Sequence, residues 1–105
     1  MKTQEAANYF ECLSSPIRLE IFILLTRHGA DGLVAGDIAT ALALPASNLS
    51  FHLKALNHCR LVAVEQEGRF LRYRANLELM QHLASFLTEQ CCIEQAGSLC
   101  CSKDK

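Results

Sequence analysis

The stretch that decides the fold is residues 45–60, which read PASNLSFHLKALNHCR. Leu49, Leu53 and Leu56 follow one another at the i, i+4 and i+7 spacing, which predicts a short helix with one apolar face. The opposite face presents hydroxyl, aromatic and basic side chains, namely Ser47, Ser50, Phe51, Lys54 and His58. Such a face suits the major groove of DNA, because hydroxyls bond bases or phosphates and a lysine neutralises a phosphate. A merely solvated surface is the competing interpretation, and the flanking sequence has to distinguish the two.

Charge is distributed unevenly around this stretch. The whole chain of 105 residues has a net charge of −1. The segment 47–74 nevertheless carries five basic and two acidic residues, whereas the flank on each side sums to −2. A local charge of +3 beside the predicted helix is the electrostatic footprint expected for a polyanion such as nucleic acid.

The neighbouring segments complete a DNA-binding layout. Residues 34–42 are predicted to form a short helix and residues 43–45 a tight turn, so that together with the opening stretch they make a helix-turn-helix. Downstream, residues 61–65 and 69–74 are β-rich runs separated by a turn at 66–68, which predicts a hairpin, or wing. A basic wing can lie along or enter a minor groove, and Arg69 near its tip is well placed to reach out.

Three further helices are predicted, at residues 5–13, 17–27 and 77–90. Ser15 and Pro16 open the second of them, and Gly29 follows its basic last turn. The last helix is strongly apolar, so we expect a symmetric homodimer with the first and last helices at the interface. The predicted fold class is mainly α with a small β-hairpin, a winged helix-turn-helix. It comprises a DNA-binding and dimerisation domain at 1–90 and a cysteine-rich sensor tail at 91–105.

Length and cysteine usage restrict the class of protein. There is no run of eighteen apolar residues and no signal-peptide layout, so we expect a cytoplasmic protein of one domain with no membrane partner. Because cytosolic thiols stay reduced, six cysteines favour metal, metalloid or redox chemistry over a disulfide framework. Cys12 and Cys59 flank apolar faces and are expected to pack as small hydrophobic residues. The other four lie in the last fifteen positions, namely Cys91, Cys92, Cys100 and Cys101.

The element order and several motifs resemble the ArsR/SmtB family of metal-responsive winged-helix repressors, over nearly the whole chain. The motifs are LSSPIRL at 13–19, DIA at 37–39, SNLSFHLKAL at 47–56, LV at 61–62 and GR at 68–69. One departure lies at Cys59 and Arg60, where the family commonly has Ala-Gly. Glycine accepts a left-handed helix exit without strain, so we expect Arg60 to adopt a different geometry.

The resemblance implies a homodimer that binds double-stranded operator DNA with an inverted repeat and is released by a ligand. Two familiar ligand sites of the family are missing. Residues 33–37 read LVAGD and lack the Cys-Val-Cys of many arsenic-type members. The last helix offers only His82 where zinc-type members use Asp/His pairs, and we interpret His82 as a packed or solvated residue.

The C-terminal thiols are therefore the candidate sensor. Their two pairs are separated by seven residues and can converge if residues 96–98 turn back. Thiolates are soft ligands; trivalent arsenic takes three of them, whereas zinc or cadmium completes four. Together with the resemblance, these thiols predict an arsenic-responsive repressor whose inducer is trivalent arsenic, as arsenite; the analogous antimony species, antimonite, is the alternative inducer. The expected ligands are Cys91, Cys92 and one of Cys100 or Cys101.

Other functions remain open at this point. The same cysteines could form disulfides or polysulfides in a redox-sensing repressor, or hold cadmium or zinc. Outside this class, the chain could be a thiol-rich metalloid buffer. Enzymatic activity is not expected, because the sequence has no phosphate loop and no Cys-X-X-Cys arrangement. The predicted DNA contacts are Ser47, Asn48, Ser50, Phe51 and Lys54 on the helix, with Arg69 and Arg72 in the wing, while His52 is predicted to face the core edge.

Overall fold

The computed structural model of the chain describes residues 1–89 and Cys91. This part of the chain forms five helices and a three-stranded sheet in the order α1 (Thr3–Cys12), α2 (Pro16–His28), β1 (Leu33–Val34), α3 (Ala35–Leu42), α4 (Ala46–His58), β2 (Val62–Glu67), β3 (Phe70–Ala75) and α5 (Leu77–Glu89). The predicted winged helix-turn-helix is confirmed. No helix in the described residues is long and apolar enough to cross a membrane.

Local sequence signals account for the ends of α2. The Ser15 hydroxyl accepts a hydrogen bond from the Arg18 amide at 3.5 Å, and Pro16 occupies the first turn, where its missing N–H costs nothing. At the other end, Gly29 adopts a φ of 52°, which a residue without a Cβ tolerates. The predicted start and end signals of this helix are therefore confirmed, and the helix extends one residue beyond the predicted 17–27 at each end.

The core lies between α2, α4 and the start of the wing. Its fully buried side chains come mostly from the apolar faces of these elements: Ile21, Leu25, Ile38, Leu49, Leu53, Leu56, Leu61 and Val62. Leu49, Leu53 and Leu56, the predicted apolar face of α4, thus lie at the centre of the core. Cys12 is also buried, with 5 % of its surface exposed, so it belongs to the core and does not merely flank it.

The sheet has one more strand than the sequence predicted. Its order is β1-β3-β2, with both neighbouring pairs antiparallel. β1 contains only Leu33 and Val34, which pair with Tyr73 and Arg72. Two residues carry no readable alternation, so this strand could not be recognised from its own sequence. The predicted turn at 66–68 was also misplaced, because the strands continue to Glu67 and from Phe70.

The exit of α4 corrects our expectation for Arg60. Its φ is 68°, in the left-handed region that glycine usually occupies. The Arg60 amide donates to the Asn57 carbonyl at 3.0 Å and the Leu61 amide to the Leu56 carbonyl at 3.1 Å, which is the Schellman pattern. Leu61 is fully buried directly after this turn. Packing of Leu61 therefore holds Arg60 in a conformation that its own side chain disfavours.

Asn76 joins the exit of α4 to the start of α5. Its side-chain oxygen accepts a hydrogen bond from the Leu79 amide at 3.1 Å, which caps α5. Its side-chain nitrogen donates to the Arg60 carbonyl at 3.0 Å. One asparagine thus fixes the last helix to the end of α4, a role that the sequence analysis missed although an asparagine before an apolar run is a helix-start signal.

Candidate nucleic-acid interface

One face of α4 gathers all five helical residues predicted to contact DNA. Ser47, Asn48, Ser50, Phe51 and Lys54 are all exposed, while the leucines on the opposite face are buried. Phe51 leaves 65 % of its surface in solvent, an unusual position for a large aromatic side chain. The face therefore combines hydroxyl, amide, aromatic and cationic groups, which is a set able to contact both base edges and phosphates.

The turn before α4 fixes how this helix is presented. Ala43 ends α3 with a φ of 54°, in the left-handed region, and the Leu44 amide donates to the Ala39 carbonyl at 3.0 Å. Half-buried Leu44 packs on the core, and Pro45 occupies the N-cap position of the next helix without a side-chain cap. The predicted helix-turn-helix is thus realised as two helices joined by a short, hydrogen-bonded turn.

Arg18 on α2 supports the α4 face from behind, and the sequence analysis did not identify it. Its Nε donates to Nδ1 of His52 at 3.3 Å. The guanidinium carbon lies 6.0 Å from the centre of the Phe51 ring, and the Phe51 and His52 rings meet edge to face at 5.4 Å. His52 is half-buried, as predicted. The signal available in the sequence was the presence of Arg18 within the motif at 13–19.

The wing places its two predicted contacts in different environments. Arg69 lies exposed in the two-residue turn between β2 and β3, beside Gly68 with its φ of 61°. Arg72 instead donates to the Glu67 carboxylate at 2.8 Å and to the Asp31 carbonyl at 2.9 Å. The hydrogen bond to Glu67 raises the pKa of Arg72 above its usual value. Arg69 is therefore available to a ligand, and Arg72 is committed to the fold.

The neighbouring wing arginine is engaged in the same way. Arg74 donates to the Ala30 carbonyl at 2.7 Å and to the Glu65 carboxylate at 2.7 Å. The ion pairs of Arg72 and Arg74 thus offset both glutamates of the wing. The hydrogen bonds and ion pairs within residues 1–89 include none from the side chains of Lys54, Arg60 or Arg69. The net charge of +3 in residues 47–74 is therefore carried by these three residues; Lys54 and Arg69 are predicted DNA contacts, whereas Arg60 lies just past the end of α4.

The wing tip also carries exposed apolar surface that the sequence analysis did not select. Phe70 is 62 % exposed and lies directly after Arg69, where β3 begins. Its ring and that of Phe51 are the two most exposed aromatic side chains in the described residues. Exposed aromatics next to a cation are suited to apolar contacts in a groove.

The predicted sensor lies almost entirely outside the described residues. Cys91 follows α5, and its amide donates to the Thr88 carbonyl at 3.0 Å. Cys92, Cys100 and Cys101 lie outside the described part of the chain, so their predicted convergence stays a prediction. Within the described residues, no group of three or more histidine, cysteine or acidic side chains is arranged to hold a metal ion.

Comparison with known proteins agrees with this geometry. Residues 13–65 match a family model described as a helix-turn-helix domain. Over 108 aligned residues the chain is 35 % identical to the HTH-type transcriptional regulator CmtR of Mycobacterium bovis, covering 93 % of this chain and 88 % of that protein. The chain belongs to the ArsR/SmtB family.

Solved structures of ArsR-like regulators are similar to this fold. An ArsR-like transcriptional regulator from Rhodococcus sp. RHA1 is 34 % identical, with a TM-score of 0.70 over 82 % of this chain and 78 % of that one. The homodimeric winged helix-turn-helix DNA-binding domain Mb0332 of Mycobacterium bovis is 25 % identical, with a TM-score of 0.67 over the same shares. This member of the ArsR/SmtB family is accordingly a DNA-binding transcriptional regulator.

Proposed function

We propose that this ArsR/SmtB regulator is a homodimeric repressor that binds operator DNA and is released when trivalent arsenic binds its C-terminal cysteines. The observation that carries the DNA-binding part is the exposed face of α4, with Lys54 at its centre and the Arg18–His52 contact behind it. The dimer is supported by exposed apolar side chains on the first and last helices, such as Phe10 and Leu87, which are 40 % and 57 % exposed. The similar Mb0332 domain is itself described as homodimeric.

The proposed inducer rests on the chemistry of the tail. Four cysteines within eleven positions supply more than the three sulfurs that arsenite or antimonite takes, and the described residues offer no other group of three or more such ligands. Because the tail follows α5 directly, ligand binding there would reposition the proposed dimer helices and change the spacing of the two α4 helices. Successive major grooves on one face of DNA lie about 34 Å apart, so a modest change in spacing lowers affinity. By linkage, DNA must weaken arsenic binding by the same factor.

The test is a release experiment under reducing conditions. An operator is first selected by enrichment from random duplexes, and its release is then titrated with arsenite, antimonite, cadmium and zinc. We expect release by arsenite and antimonite, and loss of that release in the Cys91→Ser/Cys92→Ser double variant with unchanged basal affinity. Cys59→Ser is the matched control and should keep the response. Release by cadmium or zinc alone, or an unchanged arsenite response in the double variant, would contradict the proposed inducer.

A redox-sensing repressor is the second candidate, and one observation favours it: Cys91 is disulfide-bonded in the structure. A disulfide removes the thiolates that arsenic needs, so the two functions predict opposite conditions for release. Release by peroxide or polysulfide, with no response to arsenite in the presence of a phosphine reductant, would support this alternative. Stoichiometric arsenic binding without any selectable operator would instead support a metalloid buffer.

A further inference from the structure

Two cysteines outside the proposed sensor lie side by side. Cys12 is the last residue of α1 and Cys59 directly follows α4, 47 positions along the chain. Both are free thiols, and the two residues meet at the Ala55 carbonyl, to which the Cys59 amide donates at 3.1 Å. The Cys12 thiol also donates to the Ala55 carbonyl, with Sγ 3.8 Å from that oxygen. The fold therefore builds a dithiol between the first helix and the DNA-binding helix.

The dithiol opens on one side. Cys12 is 5 % exposed and lies on the core side, whereas Cys59 is half-buried and borders a surface cavity of about 200 Å³. The cavity is lined by Glu5, Asn8, Tyr9, His58, Cys59 and Arg60. A small molecule can therefore approach through Cys59, and a compact apolar or aromatic group can remain beside Tyr9 once the sulfurs are engaged.

The number of donors limits what can bind. Although His58 and Glu5 border the cavity, no three histidine, cysteine or acidic side chains in residues 1–89 are arranged around one ion. Inorganic arsenite requires three sulfur ligands and zinc requires four ligands, so two thiols are too few for either. A soft centre that already carries one organic group needs two sulfurs only, which matches this pair.

We propose that Cys12 and Cys59 form a second, independent binding site for trivalent arsenicals that bear one carbon substituent. The two sulfurs bind the arsenic, and the substituent occupies the cavity beside Tyr9. The site ties the end of α1 to the end of the DNA-binding helix. It does not depend on the C-terminal cysteines or on the identity of the inducer proposed above.

The binding step balances without an oxidant. The hydrated ligand R–As(OH)₂ exchanges its two As–OH bonds for two As–S bonds; each thiol proton leaves with a hydroxyl, so two waters are released and arsenic remains trivalent. Burial, and then the Cys59 neighbour, raise the pKa of the Cys12 thiol to about 11. Cys12 is thus a neutral thiol at pH 7, which suits an exchange that consumes thiol protons. It is a poor nucleophile toward peroxide, because oxidation requires the thiolate.

Arg18 gives this site a route to the DNA-binding face. Burial raises the pKa of the Cys12 thiol, and the positive charge of nearby Arg18 partly opposes that rise. The Arg18 side chain also donates to His52, which contacts Phe51. When arsenic binds Cys12, the sulfur is no longer a thiol and its interaction with Arg18 changes. The resulting change in operator affinity can be measured separately from the binding of the arsenical.

The test uses the full chain with Cys91, Cys92, Cys100 and Cys101 replaced by serine, so that only the dithiol remains. The protein is titrated with phenylarsine oxide in a phosphine reductant, and thiol counting and intact-protein mass spectrometry are read together. We expect one phenylarsenic group per chain with loss of both thiols, displaced by ethanedithiol but not by excess monothiol. Arsenite, the matched inorganic probe, should bind at least tenfold more weakly.

The controls are Cys12→Ala and Cys59→Ala in the same background. Each leaves a single thiol, which loses the intramolecular advantage of the second bond, so affinity should fall by about 100-fold or more. Alanine is chosen at position 12 because the buried thiol packs as a small hydrophobic group, and circular dichroism verifies the fold. Unchanged affinity in either folded variant, or retention of both thiols after one equivalent of phenylarsine oxide, would overturn the proposal.

Discussion

The α4 face carries a single lysine and the wing carries five charged residues, and the two regions use their cations differently. On α4, Lys54 stands exposed among Ser47, Ser50 and Phe51 and forms no ion pair within the described chain. On β3, Arg72 and Arg74 contact glutamates of β2 and carbonyls of the loop after α2. The difference teaches that a basic stretch can hold a fold together or attract a ligand, and only the location of its partners distinguishes the two.

Stability is expected to be most sensitive to substitution in the loop after α2, which packs against the wing. Gly32 is buried with a φ of 60°, and a Cβ there would collide with the Tyr73 carbonyl and the Arg74 side chain. We expect Gly32→Ala to lower the free energy of unfolding by about 3 kcal/mol or more, through backbone strain and overpacking. Urea denaturation followed by circular dichroism measures this.

The matched control is Gly36→Ala in α3, where a Cβ meets nothing within 4 Å. It should be neutral or stabilise the protein by up to about 1 kcal/mol, since alanine favours helix. If both glycine variants are equally stable, the close fit of this loop against the wing is wrong.

Exchanging one cation from each region separates affinity from stability. Lys54→Gln should weaken operator binding by about tenfold and reduce the salt dependence by about one ion per subunit, with stability unchanged. Arg74→Gln should lower the free energy of unfolding by about 1–2 kcal/mol, because it loses hydrogen bonds to Ala30 and Glu65, and leave affinity unchanged. Fluorescence anisotropy at several salt concentrations, paired with urea denaturation, gives both quantities.

Within the wing, a free arginine can be compared with an ion-paired one, and the expected change in operator affinity is smaller. Arg69→Gln should weaken operator binding by a few-fold, about half the effect in log units of Lys54→Gln, because a single exposed cation near a groove supplies one contact. Arg72→Gln should leave the salt dependence unchanged, since its guanidinium is already engaged by Glu67 and Asp31. A larger affinity loss for Arg72→Gln than for Arg69→Gln would reverse our assignment of the two residues.

The exit of α4 lies outside both regions and is expected to affect stability alone. Arg60→Gly should raise the free energy of unfolding by about 1 kcal/mol, because glycine removes the strain of a φ of 68°. Operator affinity should not change, since Arg60 lies beyond the end of α4 opposite to Ser47 and the start of such a helix contacts the bases. Arg60→Lys keeps both charge and strain and should match the parent in thermal denaturation; a stabilised lysine variant would contradict the strain argument.

Local patterns explain why much of the fold could be predicted. The leucine spacing in α4, the Ser15 cap with Pro16, and Gly29 at the end of α2 act within a few positions of one another, so they can be read along the sequence. The exposure of the five α4 residues predicted to contact DNA could be anticipated for the same reason, because helical periodicity alone places them on one face. The wing strands were recognised by type, although the position of their turn was missed.

The remaining features depend on residues far apart in the chain. Arg18 and His52 are 34 positions apart, and Arg74 and Ala30 are 44 positions apart, so no local sequence pattern predicts either hydrogen bond. β1 is too short to show a period and exists because β3 offers it partners. Arg60 was wrongly expected to avoid the left-handed region, since the burial of Leu61 that imposes it is a tertiary effect.

By itself, the sequence determined the helix-turn-helix, its apolar and exposed faces and the local excess of positive charge, because these follow from periodicity and composition. The tertiary structure alone decided which cations are available to DNA, that Arg18 supports Phe51, and that Cys12 and Cys59 meet at the Ala55 carbonyl. The physical reason is the same in each case. Hydrogen bonds, ion pairs and thiol contacts act over a few ångströms, so only the packing of distant segments determines which groups are satisfied within the chain and which remain for a ligand.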